Sequence, residues 1–157
     1  MSVEDTAGNA ERPLAGRSIL VVDDEKDMGE LYCDILERRG AQVVFVSSGE
    51  EALANIQAGN QYDLIITDLL MVPLTGPRAM NGDELVRRLK GLRGKKGYEH
   101  LQQTTLVIMS SMEDFKTPTG ADKKARDLDA DGGYSKHEPP ASIVEFARNA
   151  LSRPKTN

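Results

Sequence analysis

Short apolar runs alternate along this chain with longer stretches of helical periodicity. Ile19-Leu20-Val21-Val22, Val43-Val44-Phe45-Val46, Leu64-Ile65-Ile66-Thr67 and Leu106-Val107-Ile108-Met109 have strand length and no polar alternation, the pattern of strands buried on both faces. Residues 27–39 repeat Met28, Leu31, Tyr32, Ile35 and Leu36 at 3.6-residue spacing, and Gly40 ends the run. Ser47 or Ser48 caps a second helix carrying Ala52, Leu53 and Ile56, which Gly59 ends. A third helix over about residues 83–90 turns Leu85, Val86 and Leu89 inward. A polar fourth, near 119–129, has only a thin stripe of Ala121, Ala125 and Leu128. A weak fifth strand is expected around 133–136. The last helix, about 140–152, aligns Ile143, Phe146, Ala147, Ala150 and Leu151. Residues 91–103 are polar and Gly-rich and read as an irregular insertion.

Strand and helix thus alternate five times with short connections, which predicts an α/β fold with a doubly wound five-stranded parallel sheet. Right-handed crossovers leave few strand orders, and 2-1-3-4-5, the flavodoxin-like order, is the expected one. Strands 1 and 3 are then neighbours at the switch point, where open α/β sheets bind ligands. Their C-terminal ends carry Asp23, Asp24 and Asp68, so separate parts of the chain converge on one acidic pocket.

Composition narrows the function classes. With 157 residues, 39% hydrophobic and 29% charged, the chain has the material for one globular domain. No apolar run approaches the ~20 residues that span a bilayer, so no membrane segment is expected. Residues 1–16 lack the apolar core of a secretory signal and are expected to be a disordered extension. The domain is placed at 17–152 and a short tail at 153–157. Cys33 is the single cysteine, which excludes an internal disulfide and fits a reducing, cytoplasmic setting. The net charge of −5 argues against a nucleic-acid surface. The basic stretch Arg87, Arg88, Lys90, Arg93, Lys95 and Lys96 reads as a solvated helix end rather than a docking patch.

Three carboxylates at one sheet edge repel each other, and burial penalises their charge further. A hard divalent cation removes the conflict, and Mg²⁺ combines a few carboxylates with waters and phosphate oxygens. Asp68 is then a candidate nucleophile, since Asp carboxylates form aspartyl-phosphates. Lys136, after the fifth strand, offers a point charge to a phosphoryl group, and Ser110, ending the fourth strand, offers a hydroxyl. Taken singly, an Asp or Ser after a strand is usually a turn or cap residue, and a Lys is usually solvated. Their joint position at the ends of strands 1, 3, 4 and 5 favours the chemical reading.

Val21-Val22-Asp23-Asp24, Asp68, Ser110 and Lys136 together resemble the signature of the receiver domain of two-component response regulators. Met80-Asn81-Gly82-Asp83-Glu84-Leu85 is similar to the start of that family's third helix. The resemblance implies that Asp68 accepts a phosphoryl group from a sensor histidine kinase or a histidine phosphotransfer protein. It implies that Asp24, Asp68 and the Leu70 carbonyl bind Mg²⁺ directly, with Asp23 acting through water. It implies that Ser110 and Lys136 read the phosphoryl group and alter the surface of the fourth helix, fifth strand and fifth helix, where such domains often pair as homodimers. No attached output domain is expected after the fifth helix, so the effect would pass to a downstream protein target by binding. The expected chemistry is Mg²⁺-dependent self-phosphorylation and slow self-dephosphorylation, not turnover of a substrate.

Four features depart from the family pattern. The Gly76-to-Gly82 interval suggests about six extra residues between the third strand and third helix, in a loop stiffened by Pro73 and Pro77. They either shape kinase access or form a tolerated surface insertion. Gly133 occupies the position three before the lysine where many receivers carry an aromatic, and Tyr134 follows. Period-two alternation turns Tyr134 to the other face unless Gly132-Gly133 form a bulge. His137 follows Lys136 where the family often has a cis-linked proline. A cis bond to a non-proline costs about 3 kcal/mol, so either a trans bond with a rearranged loop or a strained cis bond is expected. Leu70 and Met112, two residues after Asp68 and Ser110, are expected to shield an acyl phosphate from water.

Gly133 and His137 favour a second reading, a pseudo-receiver whose switch no longer works; the complete set Asp23, Asp24, Asp68, Ser110 and Lys136 opposes it. A phosphatase of the haloacid-dehalogenase type wants an Asp where Leu70 stands. A dinucleotide enzyme wants a Gly-rich turn after strand 1, which is absent.

Overall fold

Every residue of the central strand is buried, and the rest of the molecule is layered around it. The computed structural model describes residues 11–71 and 80–152. The five strands are β1 (Ser18–Val22), β2 (Gln42–Val46), β3 (Leu64–Asp68), β4 (Thr105–Ser110) and β5 (Gly132–Ser135). They form one sheet in the order β2-β1-β3-β4-β5, with every pairing parallel. The helices between and after them are α1 (Lys26–Arg38), α2 (Gly49–Gln57), α3 (Gly82–Leu92), α4 (Pro118–Asp127) and α5 (Ile143–Ser152). The expected order and the five alternations are both present.

The two-residue period of the strands sorts the core into two layers. Ile19, Val21, Leu64, Ile66, Val107, Met109 and Tyr134 face α1 and α5, packing on Tyr32, Leu36, Ile143 and Ala147. Leu20, Val22, Ile65, Leu106 and Ile108 face α2, α3 and α4, packing on Ile56, Leu85, Leu89 and Ala121. The continuous apolar runs follow from this: both faces of β1, β3 and β4 are covered. Edge strand β2 is covered less, and Val44 is 41% exposed. The caps are local. Ser48 Oγ accepts from Glu51 N–H at 3.1 Å, which settles the choice between Ser47 and Ser48. Thr117 Oγ1 accepts from Gly120 N–H at 3.0 Å, with Pro118 in the first turn of α4.

Two expectations change. The disordered extension drawn over residues 1–16 does not reach its end: Leu14 is 1% exposed, and its N–H donates to Arg39 O at 3.0 Å. An apolar residue just before β1 thus closes the end of α1, although its polar neighbours mask it in the sequence. The irregular insertion also has internal order. A 3₁₀ turn, Glu99–Gln102, buries Leu101, and the Arg93 guanidinium donates to Leu101 O at 2.9 Å and Thr104 O at 2.8 Å. Arg93 also pairs with Asp131 at 3.4 Å, and Arg87, Arg88 and Lys90 pair with Asp83, Glu84 and Asp129. Arg87 and Arg88 agree with a solvated helix end, whereas Lys90 and Arg93, with side chains 22% and 20% exposed, do not: they pair with acids beyond α4, and Arg93 holds the 3₁₀ turn. The proline-bearing loop falls mostly in residues 72–79, outside the described residues, as does the tail at 153–157.

Candidate functional site

β1 and β3 deliver Asp23, Asp24 and Asp68 to the same edge because their register pairs Val22 with Thr67. Each carboxylate offers an oxygen within 4.8 Å of the others. Asp23 is fully buried and Asp68 is 6% exposed. One Asp23 oxygen is held by the Glu25 N–H at 2.9 Å. The other takes the ammonium of Lys136 at 2.8 Å, and that ammonium also lies 3.4 Å from Asp68 Oδ2. Lys136 arrives from β5, at the far side of β4, and its N–H is tied to the Ser110 carbonyl at 2.9 Å.

The electrostatics follow from burial. Desolvation pushes the Asp68 carboxyl up to about 7; Lys136 opposes this, and the charges of Asp23 and Asp24 add to it. Burial alone would lower the Lys136 ammonium, but Asp68 and Asp23 outweigh it and hold it above the usual range. The site is therefore a carboxylate cluster short of positive charge. An octahedral Mg²⁺ with oxygens at ~2.1 Å places its ligands about 3 Å apart when adjacent and about 4 Å apart when opposite. Three carboxylate oxygens within 4.8 Å of one another are the hard donors that cation prefers, and their closeness suits a shared ion.

Ser110 lies at the same edge, paired with Ser135 across to β5. Its hydroxyl accepts from Met112 N–H at 3.0 Å and is 2% exposed as a residue, so it serves its own turn in this state. Gly133 pairs with Ile108 and Tyr134 with Met109 in an unbroken ladder, so no bulge intervenes. Tyr134 accordingly faces α1 and α5. Its ring stands edge-on to Tyr32 at 6.1 Å and tilted to Phe146 at 5.0 Å, and its hydroxyl meets Ser142 Oγ at 2.8 Å. A Cβ on Gly133 would lie 2.2 Å from the Ala121 carbonyl, so the missing aromatic makes room for α4. The Lys136–His137 bond is trans, since no described peptide bond is cis. His137 instead bridges two loops, its Nε2 meeting the Ser111 carbonyl at 2.7 Å.

The positional reading overlooked two supports. A Cβ on Gly82 would lie 2.2 Å from the Asp68 carbonyl, so the first residue of α3 must be glycine to pack under the acid. Asn81 joins its side chain to the Met71 N–H at 3.1 Å. The Met-Asn-Gly triplet was the available signal for Gly82, while nothing in the sequence tied Asn81 to Met71. A separate cavity of about 640 Å³, lined by Pro13, Ile35, Arg38 and Val144 among others, shares no residue with the acidic site. Its charged lining is Arg38, Arg39 and Glu145, and none of the three acids of the sheet edge reaches it.

A doubly wound sheet with an acidic pocket at its switch point, spanned by one buried lysine, has a donor set that could hold a divalent cation. Comparison with known proteins is more specific. The response regulator receiver domain profile matches residues 19–148, and the chain belongs to that family. The transcriptional regulatory protein PhoP of Bacillus subtilis, named for alkaline phosphatase synthesis, is 32% identical over 137 residues, 87% of this chain and 49% of PhoP. A response regulator receiver protein of Anaeromyxobacter is 38% identical over 74 residues, 47% of this chain and 28% of its own length. Probable histidine kinase 4 of rice is 35% identical over 82 residues, covering 52% of this chain and 8% of the kinase. The chain spans about half or less of the length of these curated relatives. Among solved structures, the receiver domain of a histidine kinase from Syntrophus aciditrophicus superposes with a TM-score of 0.67 at 26% identity, covering 87% of this chain and 91% of that one. The chemotaxis regulator CheY4 of Vibrio cholerae superposes with a TM-score of 0.63 at 23% identity, covering 85% and 98%, and shares the fold.

Proposed function

We propose that this protein is a phosphorylation-controlled signalling receiver whose acceptor is Asp68. The observation that carries the reading is the buried Lys136 ammonium held between Asp23 and Asp68, which joins the ends of β1, β3 and β5. The donor is the phosphohistidine of a sensor histidine kinase or histidine phosphotransfer protein. An Asp68 carboxylate oxygen attacks phosphorus in line, the phosphorus–nitrogen bond breaks, and the leaving imidazole nitrogen takes a proton. Asp24, Asp68 and the Leu70 carbonyl, with Asp23 through water, would hold a Mg²⁺ ion, which would supply charge neutralisation for the transferring oxygens. Lys136 then leaves Asp23 to pair with the phosphoryl group, and the Ser110 hydroxyl exchanges Met112 N–H for a phosphoryl oxygen.

Output passes to a downstream protein by binding, through the surface of α4, β5 and α5, where a homodimer is also proposed. The setting is the cytoplasm, and no described helix is long and apolar enough to cross a membrane. No substrate turnover is proposed beyond slow loss of the protein's own phosphoryl group. The assembled Asp–Lys cluster weighs against the pseudo-receiver reading. The test is intact mass after incubation with acetyl phosphate and Mg²⁺. One phosphoryl mass is expected on the unmodified chain and none on Asp68→Asn. No gain on the unmodified chain sinks the proposal.

A further inference from the structure

Asn81 stands at the N-cap of α3, and asparagine there normally accepts from a backbone N–H in the first helical turn. Its side chain makes no such bond. Its Oδ1 accepts instead from the Met71 N–H at 3.1 Å, ten positions back in the chain. A side chain well suited to cap the helix is committed to the backbone just beyond the acceptor.

The consequence falls on Leu70. In a trans peptide the carbonyl of one residue and the N–H of the next point in opposite directions. The described peptide bonds are all trans, so fixing the Met71 N–H toward Asn81 turns the Leu70 carbonyl away from it. Among the described residues no group donates to that carbonyl. The neighbouring peptide is pinned separately. Leu69 N–H donates to Met109 O at 2.8 Å, and Gly82 N–H donates to Leu69 O at 2.8 Å. Gly82 in turn packs against the Asp68 carbonyl. Leu70 is therefore a short span between two fixed points.

We propose that Asn81 is a positioning residue that aims the Leu70 carbonyl at the cation held by Asp23, Asp24 and Asp68. This rests on the cation site proposed above. Mg²⁺ demands near-ideal octahedral geometry, so a ligand carbonyl free to swing binds it less well than one held by a second partner. The bond also ties Met71 directly to the start of α3.

The test is Mg²⁺ titration by calorimetry, with hydrogen exchange of the Met71 amide read by NMR, on the unmodified protein and three variants. Asn81→Asp keeps an acceptor of the same reach. Asn81→Ser offers a hydroxyl that can cap the helix but is too short to span to Met71. Asn81→Ala can do neither. The expected result is Mg²⁺ affinity retained in Asn81→Asp and reduced about tenfold in both Asn81→Ser and Asn81→Ala, the lower end of the loss typical of removed ligand supports. The Met71 amide should exchange faster in the two weakened variants. Unmodified affinity in Asn81→Ser, or unchanged Met71 exchange in it, overturns the positioning role, since the reach to Met71 would then not matter. If the unmodified protein fails to bind Mg²⁺, the cation site itself is wrong and this proposal falls with it; that outcome is distinct from the variant results.

Discussion

Lys136 is closer to Asp23 than to Asp68, with its ammonium 2.8 Å from one carboxylate and 3.4 Å from the other. In this state the lysine pairs first with Asp23, and Asp68, the proposed acceptor, keeps the second share.

That pairing gives the first prediction. The Lys136 and Asp23 side chains are 6% and 0% exposed, and removing one member of a buried pair leaves an uncompensated charge. Lys136→Met should lower unfolding stability by about 3 kcal/mol at pH 8 without divalent cations. Millimolar Mg²⁺ should restore part of the loss, because it supplies charge to the same carboxylates. Urea unfolding with EDTA and with Mg²⁺ measures both. Equal stability of the variant in EDTA would mean that the pair contributes nothing.

The second prediction concerns pH. The folded protein holds the Asp68 carboxyl at about 7, against 3.8 for the free group. Between those values the folded state binds a proton that the unfolded state has released. Stability from this group therefore falls as pH rises from about 4 to about 7, and is flat above. In EDTA the unmodified protein should lose more stability between pH 5 and pH 8 than Asp68→Asn does. Mg²⁺ should narrow the difference by favouring the ionised form. Urea midpoints at the two pH values measure it, and identical pH slopes for the two proteins would contradict it.

Gly133 gives the third. A methyl added there would meet the Ala121 carbonyl at 2.2 Å, and backbone cannot yield as a side-chain tip can. Gly133→Ala should cost about 1–3 kcal/mol, the range for overpacking a filled interior. Tyr134→Phe, on the other face, loses the 2.8 Å contact with Ser142 and should cost about 1 kcal/mol. Thermal unfolding of the two variants separates the faces. A Gly133→Ala protein as stable as the unmodified one would show that α4 shifts freely.

These residues also mark where the sequence was legible. The runs at β1, β3 and β4 announce their strands because both faces are buried, and the site acids sit at their ends. Alternation pointed Tyr134 to the far face but left a Gly132-Gly133 bulge open, which the unbroken ladder excludes. Contacts between distant segments were not legible. Nothing in the sequence says that Gly133 touches Ala121 or that Asn81 forgoes its cap for Met71. Leu14 and Arg93 were missed for a related reason: each is a lone residue in a polar stretch, and its burial depends on partners with no periodic signature.

The fourth prediction concerns the lifetime of the phosphorylated state. Asp68 is 6% exposed, whereas Leu70 is 52% exposed and Met112 36%. Both apolar side chains stand on the loops that leave the site, one after β3 and the other after the Ser110 turn. Neither is spent on the core, so their placement is free to govern access of water to an acyl phosphate. Polar replacements would hold water there by hydrogen bonding, while the Leu70 carbonyl, being backbone, stays in place. The double variant Leu70→Asn, Met112→Asn should lose its phosphoryl group about tenfold faster, equivalent to about 1.4 kcal/mol of barrier. Intact mass followed after removal of the phosphodonor gives the decay rate. Decay of the double variant at the unmodified rate would place control of the lifetime with Lys136 and the carboxylates rather than with the apolar rim.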